Sequence, residues 1–186
     1  MGSLLAVNCF IVRVHKMIIH VTKKLAAKLS DVSNEPLKET SPLGSWNANL
    51  YTIDRRNCVL FCHDQTRYAL LLTGLKKAEL SNLGYWFHQW FACSLGFQGI
   101  ESAQVTRAKM AMGMVYFDTN TDRSVQGSMR VAQQDLAGDL AGVENVMQLD
   151  HIKASARLND RPVTIKGQKG FIWPNEAMKV LIESLG

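Results

Sequence analysis

Residues 122–129 read Asp-Arg-Ser-Val-Gln-Gly-Ser-Met, which puts an arginine, two hydroxyls and a glycine in front of an apolar-periodic run. Val125, Met129, Ala132, Leu136 and Leu140 then recur at helical spacing, so the segment predicts a helix amino terminus that follows a strand at 114–117. The first amides of a helix lack partners within it and its dipole is positive there, a setting that receives phosphate or carboxylate. Arg123, Ser124, Gly127 and Ser128 are therefore the candidate anion- or ligand-binding residues, with Arg123 able to make a bidentate contact. No Gly-x-x-x-x-Gly-Lys loop accompanies them. A plainer reading stands beside this one: Asp122 or Ser124 caps the helix, Arg123 pairs with an acid, and Gly127 permits close packing. Asn47, Asn49, Asp54 and His63 are the polar neighbours that a phosphate site would recruit.

Other groupings carry less chemistry. Cys58, Cys62, His63 and Asp64 resemble a metal cluster by composition, but on a strand residues four apart are about 13 Å apart, and Cys62 and His63 point to opposite faces. One zinc ion does not reach such ligands together, so no metal is expected and the thiols read as core. Residues 118–122 have the Asp-x-Asn-x-Asp spacing of a calcium loop, yet Arg123 and Met129 stand where its glycine and bidentate glutamate belong. The five histidines, at 15, 20, 63, 88 and 151, are joined by no Gly-x-Ser-x-Gly and no His-Glu-x-x-His. No catalytic residue and no cofactor is assigned from these patterns.

Two surface features point to macromolecular partners. Trp86 and Trp90, one helical turn apart in an aromatic-rich stretch, form a candidate contact patch, with burial in the core as the competing reading. Lys23, Lys24 and Lys28 on a short amino-terminal helix are the candidate nucleic-acid residues, although no recognised nucleic-acid motif accompanies them.

Positioning these groups requires a sheet with helices around it. Residues 17–21 predict a strand leading into the basic helix, and the polar stretch 30–44 a surface loop. Apolar segments at 49–54, 58–63 and 67–73, separated by 55–57 and 64–66, predict a three-strand antiparallel meander. The period changes to helical over 76–95, with further helices at 102–112, from Asp122 or Ser124 to about 140, at 150–158, and from Pro174 onward after a hairpin at 166–170. Strands grouped rather than strictly alternating with helices imply an α+β fold, an antiparallel sheet containing the meander and flanked by helices.

The chain has 186 residues, 47% hydrophobic and 20% charged, enough for one domain over 17–186 with a full core. Residues 1–16 read as an amino-terminal extension, or as an extra edge strand around Phe10, with Met17 resembling a natural start. The formal charge is +5, but Arg13, Lys16, Lys23, Lys24 and Lys28 all precede the first acid, Asp31, and the other 16 basic residues are matched by 16 acids. The excess is local, which weakens composition as an argument for an anionic partner. Four cysteines without a Cys-x-x-Cys pair exclude a disulfide scaffold and point to the cytoplasm. The apolar stretch 4–14 is too short to span a bilayer, so no membrane association is expected.

Several segments together resemble an uncharacterised bacterial family built on a domain of unknown function. They are Met-Ile-Ile-His-Val-Thr-Lys-Lys-Leu at 17–25, Leu-Gly-Ser-Trp-Asn-Ala-Asn-Leu-Tyr-Thr-Ile-Asp-Arg-Arg at 43–56, Val-Leu-Phe-Cys-His-Asp at 59–64 and Thr-Asp-Arg-Ser-Val-Gln-Gly-Ser-Met at 121–129. The resemblance implies a bacterial cytoplasmic protein and a plasmid or mobile-element context, and it carries no catalytic residues. The leading expectation is a non-catalytic binding or regulatory protein with a protein partner or nucleic acid. The alternatives are a small enzyme or nucleotide- or phosphate-ligand-binding module at Arg123, Ser124 and Ser128, and a toxin–antitoxin component.

Overall fold

A computed structural model describes residues 15–165 and 167–185; the strand expected around Phe10 lies outside them. The chain runs through β1 (Lys16–Val21), α1 (Lys23–Ala26), β2 (Trp46–Ile53), β3 (Arg56–His63) and β4 (Ala69–Leu75). It continues through α2 (Lys77–Ser81), α3 (Leu83–Phe97), α4 (Ser102–Met112), β5 (Met114–Asp118), α5 (Arg123–Ala141), α6 (His151–Asn159) and α7 (Pro174–Glu183). The meander forms as the spacing predicts: β2 and β3 pair from Trp46 with His63 to Ile53 with Arg56, and β3 pairs with β4. Asp54 and Arg55, both at positive φ, close the first hairpin with the two-residue backbone that matches the twist of its strands.

The strand order is β4-β3-β2-β1-β5. The fold is α+β, but the sheet is mixed rather than purely antiparallel, because β1 lies between β2 and β5 and runs parallel to both. Parallel neighbours need a long crossover. Residues 22–45, including the loop read from sequence as simple surface connection, supply it between β1 and β2. The single helix expected over 76–95 is broken at Asn82 into α2 and α3. The break lets α3 approach β5 so closely that a Cβ on Gly84 would sit 3.1 Å from Val115.

Alternation along the strands builds two cores. Met17, Ile19, Val21, Trp46, Ala48, Val59, Phe61, Leu70 and Leu72 face α3, whose Leu83, Phe87, Phe91 and Leu95 pack on them. Cys58, Leu60, Cys62, Ala69 and Leu71 face the other way, against Val125, Met129, Ala132 and Leu136 of α5. Helix α6 runs beside β4, where Asn159 accepts from the Ala69 amide (2.6 Å) and donates to its carbonyl (2.9 Å), and the Leu71 amide donates to Ser155 (2.9 Å). Side chains thus occupy part of an edge that would otherwise invite another strand.

Candidate functional site

Polar side chains converge where β1 and β5 end, where β2 begins, and where α5 starts. Asp118, His20, Asn47 and Cys62 lie in one register row across β5, β1, β2 and β3, on the face that α5 covers. Asn47 is fully buried and its amide holds the corner together. It donates to Asp64 Oδ1 (2.8 Å), and its oxygen accepts from the Asp122 amide (3.0 Å) and from Gln126 Nε2 (3.2 Å). The start of α5 is thereby tied to the sheet. Asp122 caps the helix by accepting from the Val125 amide (2.9 Å), as one of the two sequence readings requires.

The four anion-site candidates come together on one wall. Arg123, Ser124, Gly127, Ser128 and Val131, spaced at helical repeats along α5, line a cleft of about 700 Å³. Its opposite side is formed by Arg161, residues 162–165, Gly167, Gln168 and Phe171. A Cβ on Gly127 would meet nothing within 4 Å, so this glycine leaves open space at the wall instead of permitting close helix packing. No acidic side chain occurs among the described lining residues. Arg123 is exposed and has no ion-pair partner among the described residues, whereas Arg161 pairs with Asp135.

Behind Ser124 lies Arg67, 6% exposed and at positive φ. Its guanidinium donates to the Asp64 carbonyl and to Ser124 Oγ (3.1 Å), while its Nε has no partner. Burial pushes the Asp64 carboxyl up from its ordinary value, against the opposing Asn47 hydrogen bond and the nearby His20 and Arg67. Cys62, near both Arg67 and Arg161, is pushed up to about 12 because burial outweighs the two cations, so its thiol stays neutral.

At the other end of the register row, His20 Nδ1 lies 2.5 Å from Asp118 Oδ1. Asp118 is fully buried, and its oxygens also accept from the amides of Leu37 (2.8 Å) and Asn120 (3.0 Å). His20 was visible in the sequence only as a polar residue inside an apolar strand, and Asp118 only as part of a loop. Arg67 and Arg161 gave no local signal at all, since their roles depend on where the chain folds back.

The remaining sequence candidates sit elsewhere. Asn49 accepts from Thr22 Oγ1 (2.9 Å), Asp54 lies in the hairpin at the far end of β2, and His63 projects to the α3 side. Trp86 and Trp90 are half-buried against the α3-side core, Trp90 meeting the His151 ring edge-on at 4.4 Å. Lys23, Lys24 and Lys28 are exposed on and just after α1. Among the described residues no helix is long and apolar enough to cross a membrane. No curated protein and no solved structure matches the chain. Residues 18–177 match the family model described as Domain of unknown function (DUF6933), and the chain belongs to that family.

Proposed function

We propose that this domain is a binding protein for a small phosphate-bearing ligand with an apolar body, held in the cleft beside α5. The observation that carries the reading is the wall itself: Arg123, Ser124 and Ser128 share it with the open Gly127, face Arg161, and meet no carboxylate among the described lining residues. Charge-assisted hydrogen bonds from guanidinium groups and hydroxyls suit phosphate oxygens. Arg67 adds a buried guanidinium directly behind Ser124, close to Asp64 but in no ion pair among the described residues and with its Nε unbonded, which supports negative charge in front of it. Val131 and Phe171, 51% and 70% exposed, offer apolar contact for the rest of the ligand.

Thermal-shift measurements with AMP, glucose 6-phosphate and inorganic phosphate test the reading. A ligand at one hundred times its Kd stabilises by about 2.7 kcal/mol, which for a domain of this size raises Tm by roughly 5–10 °C. Arg123→Glu should abolish the shift while leaving the unliganded Tm within about 2 °C, since Arg123 is exposed and unpaired among the described residues. An unmoved Tm with all three compounds, or a shift that survives Arg123→Glu, overturns the proposal.

A further inference from the structure

We propose that His20 and Asp118 form a proton-transfer centre, in which His20 Nε2 accepts the proton of a hydroxyl group on a ligand docked at the carboxyl ends of β1 and β5. The argument starts at Asp118. Two backbone amides, of Leu37 and Asn120, donate to its carboxyl oxygens, and the ring of His20 approaches Oδ1 at 2.5 Å. A carboxylate is acceptor-only, so it satisfies all three approaches only if Nδ1 carries a hydrogen. The neutral ring is therefore the Nδ1–H tautomer, and Nε2 holds the lone pair.

That lone pair is left open. Among the described residues Nε2 has no hydrogen-bond partner, and the His20 side chain keeps 12% of its surface exposed. A histidine used only to tie β1 to β5 has no need of an accessible second nitrogen. The carboxylate that orients it is completely buried and held by amides of two further segments, so it cannot follow the ring, which turns only by breaking its own hydrogen bond to Oδ1. This is the arrangement in which a buried acid fixes tautomer and orientation and supports the imidazolium that forms. In the step proposed, the ligand O–H bond breaks, the Nε2–H bond forms, and the electron pair stays on the ligand oxygen. The location agrees with the tendency of ligands to bind outside the carboxyl ends of parallel strands.

His63 provides the internal contrast. Both its ring nitrogens are engaged, Nε2 with the Leu43 carbonyl (2.6 Å) and Nδ1 with Thr66 Oγ1 (2.8 Å), and it is fully buried. The dyad is independent of the phosphate-binding reading, because neither His20 nor Asp118 lines the α5 cleft.

Two measurements on the full chain test the proposal. Imidazole nitrogen chemical shifts should report the Nδ1–H tautomer for neutral His20, and Asp118→Asn should lose that preference in a protein whose amide spectrum remains dispersed. Diethyl pyrocarbonate probes the lone pair: Nε2 bonds to its carbonyl carbon, the ethyl carbonate group leaves with the electron pair of the broken C–O bond, and the Nδ1 proton passes to solvent. Peptide mapping should find His20 modified at least tenfold faster than His63, and slowed severalfold by Asp118→Asn. A Nε2–H tautomer at His20, or modification no faster than that of His63, overturns the proposal whatever the phosphate ligands do.

Discussion

His63 commits both ring nitrogens inside the fold. The Leu43 carbonyl can only accept, so Nε2 carries the hydrogen and Nδ1 receives the Thr66 hydroxyl. Protonating Nδ1 would replace that acceptor with a donor in a site without solvent, and burial pushes the group down to about 4. The unfolded chain therefore binds this proton first, between about pH 6.5 and pH 4. The stability due to neutral His63 is complete above about pH 6.5 and falls as pH drops through that window, by about 3 kcal/mol at its lower end. His88 and His151, lowered mainly by burial, act with the same sign, while Asp64, raised by burial, acts against them. Denaturant titrations from pH 7 to pH 4 should show this loss, and His63→Gln, although less stable at pH 7, should have a visibly flatter profile. Equal slopes for the two proteins would mean that His63 is not the titrating group. The strand alternation already gave His63 and Cys62 opposite faces; that His63 is closed and His20 open was legible in neither residue's neighbours.

Among the elements, α6 does what its sequence least advertises. The sequence predicts only a helix at 150–158, yet Asn159 and Ser155 hydrogen-bond to the backbone of β4 like part of an additional strand. Asn159→Ala would leave the amide and carbonyl of Ala69 unpaired in a buried place, at a cost of about 2–4 kcal/mol. Hydrogen exchange should show lost protection at Ala69 well before other β4 amides, and unchanged protection there would refute the pairing. Gly113, between α4 and β5, is fixed for a different reason. It has φ +62 and a Cβ would lie 2.1 Å from the His15 carbonyl, which accepts from the Met114 amide. Gly113→Ala should destabilise by about 3 kcal/mol or more, measured by denaturant unfolding, because positive φ and a backbone clash act together. A loss below 1 kcal/mol, as expected at an unstrained site, would contradict this geometry.

For the whole molecule, the sheet is the shared wall of two cores, so releasing either helical layer exposes an apolar face of the same strands on which the other layer packs. Phe87→Ala on the α3 side and Met129→Ala on the α5 side should each lower Tm by roughly 6–15 °C. In both, tryptophan fluorescence and far-ultraviolet circular dichroism should move together, the former carried by Trp46, Trp86 and Trp90 on the α3 side together with exposed Trp173. Two separate transitions would show that the layers unfold independently. The sequence by itself determined the meander, the helical face of α5, the opposite faces of Cys62 and His63 and the grouping of Arg123, Ser124, Gly127 and Ser128, because each depends on side-chain period and local capping. Only the tertiary structure decided that β1 lies parallel between β2 and β5, that Arg161 closes the cleft, and that Asp118 meets His20 across 98 positions of chain. Those are consequences of crossover connections and strand order, and residue periodicity carries no information about which strand ends become neighbours.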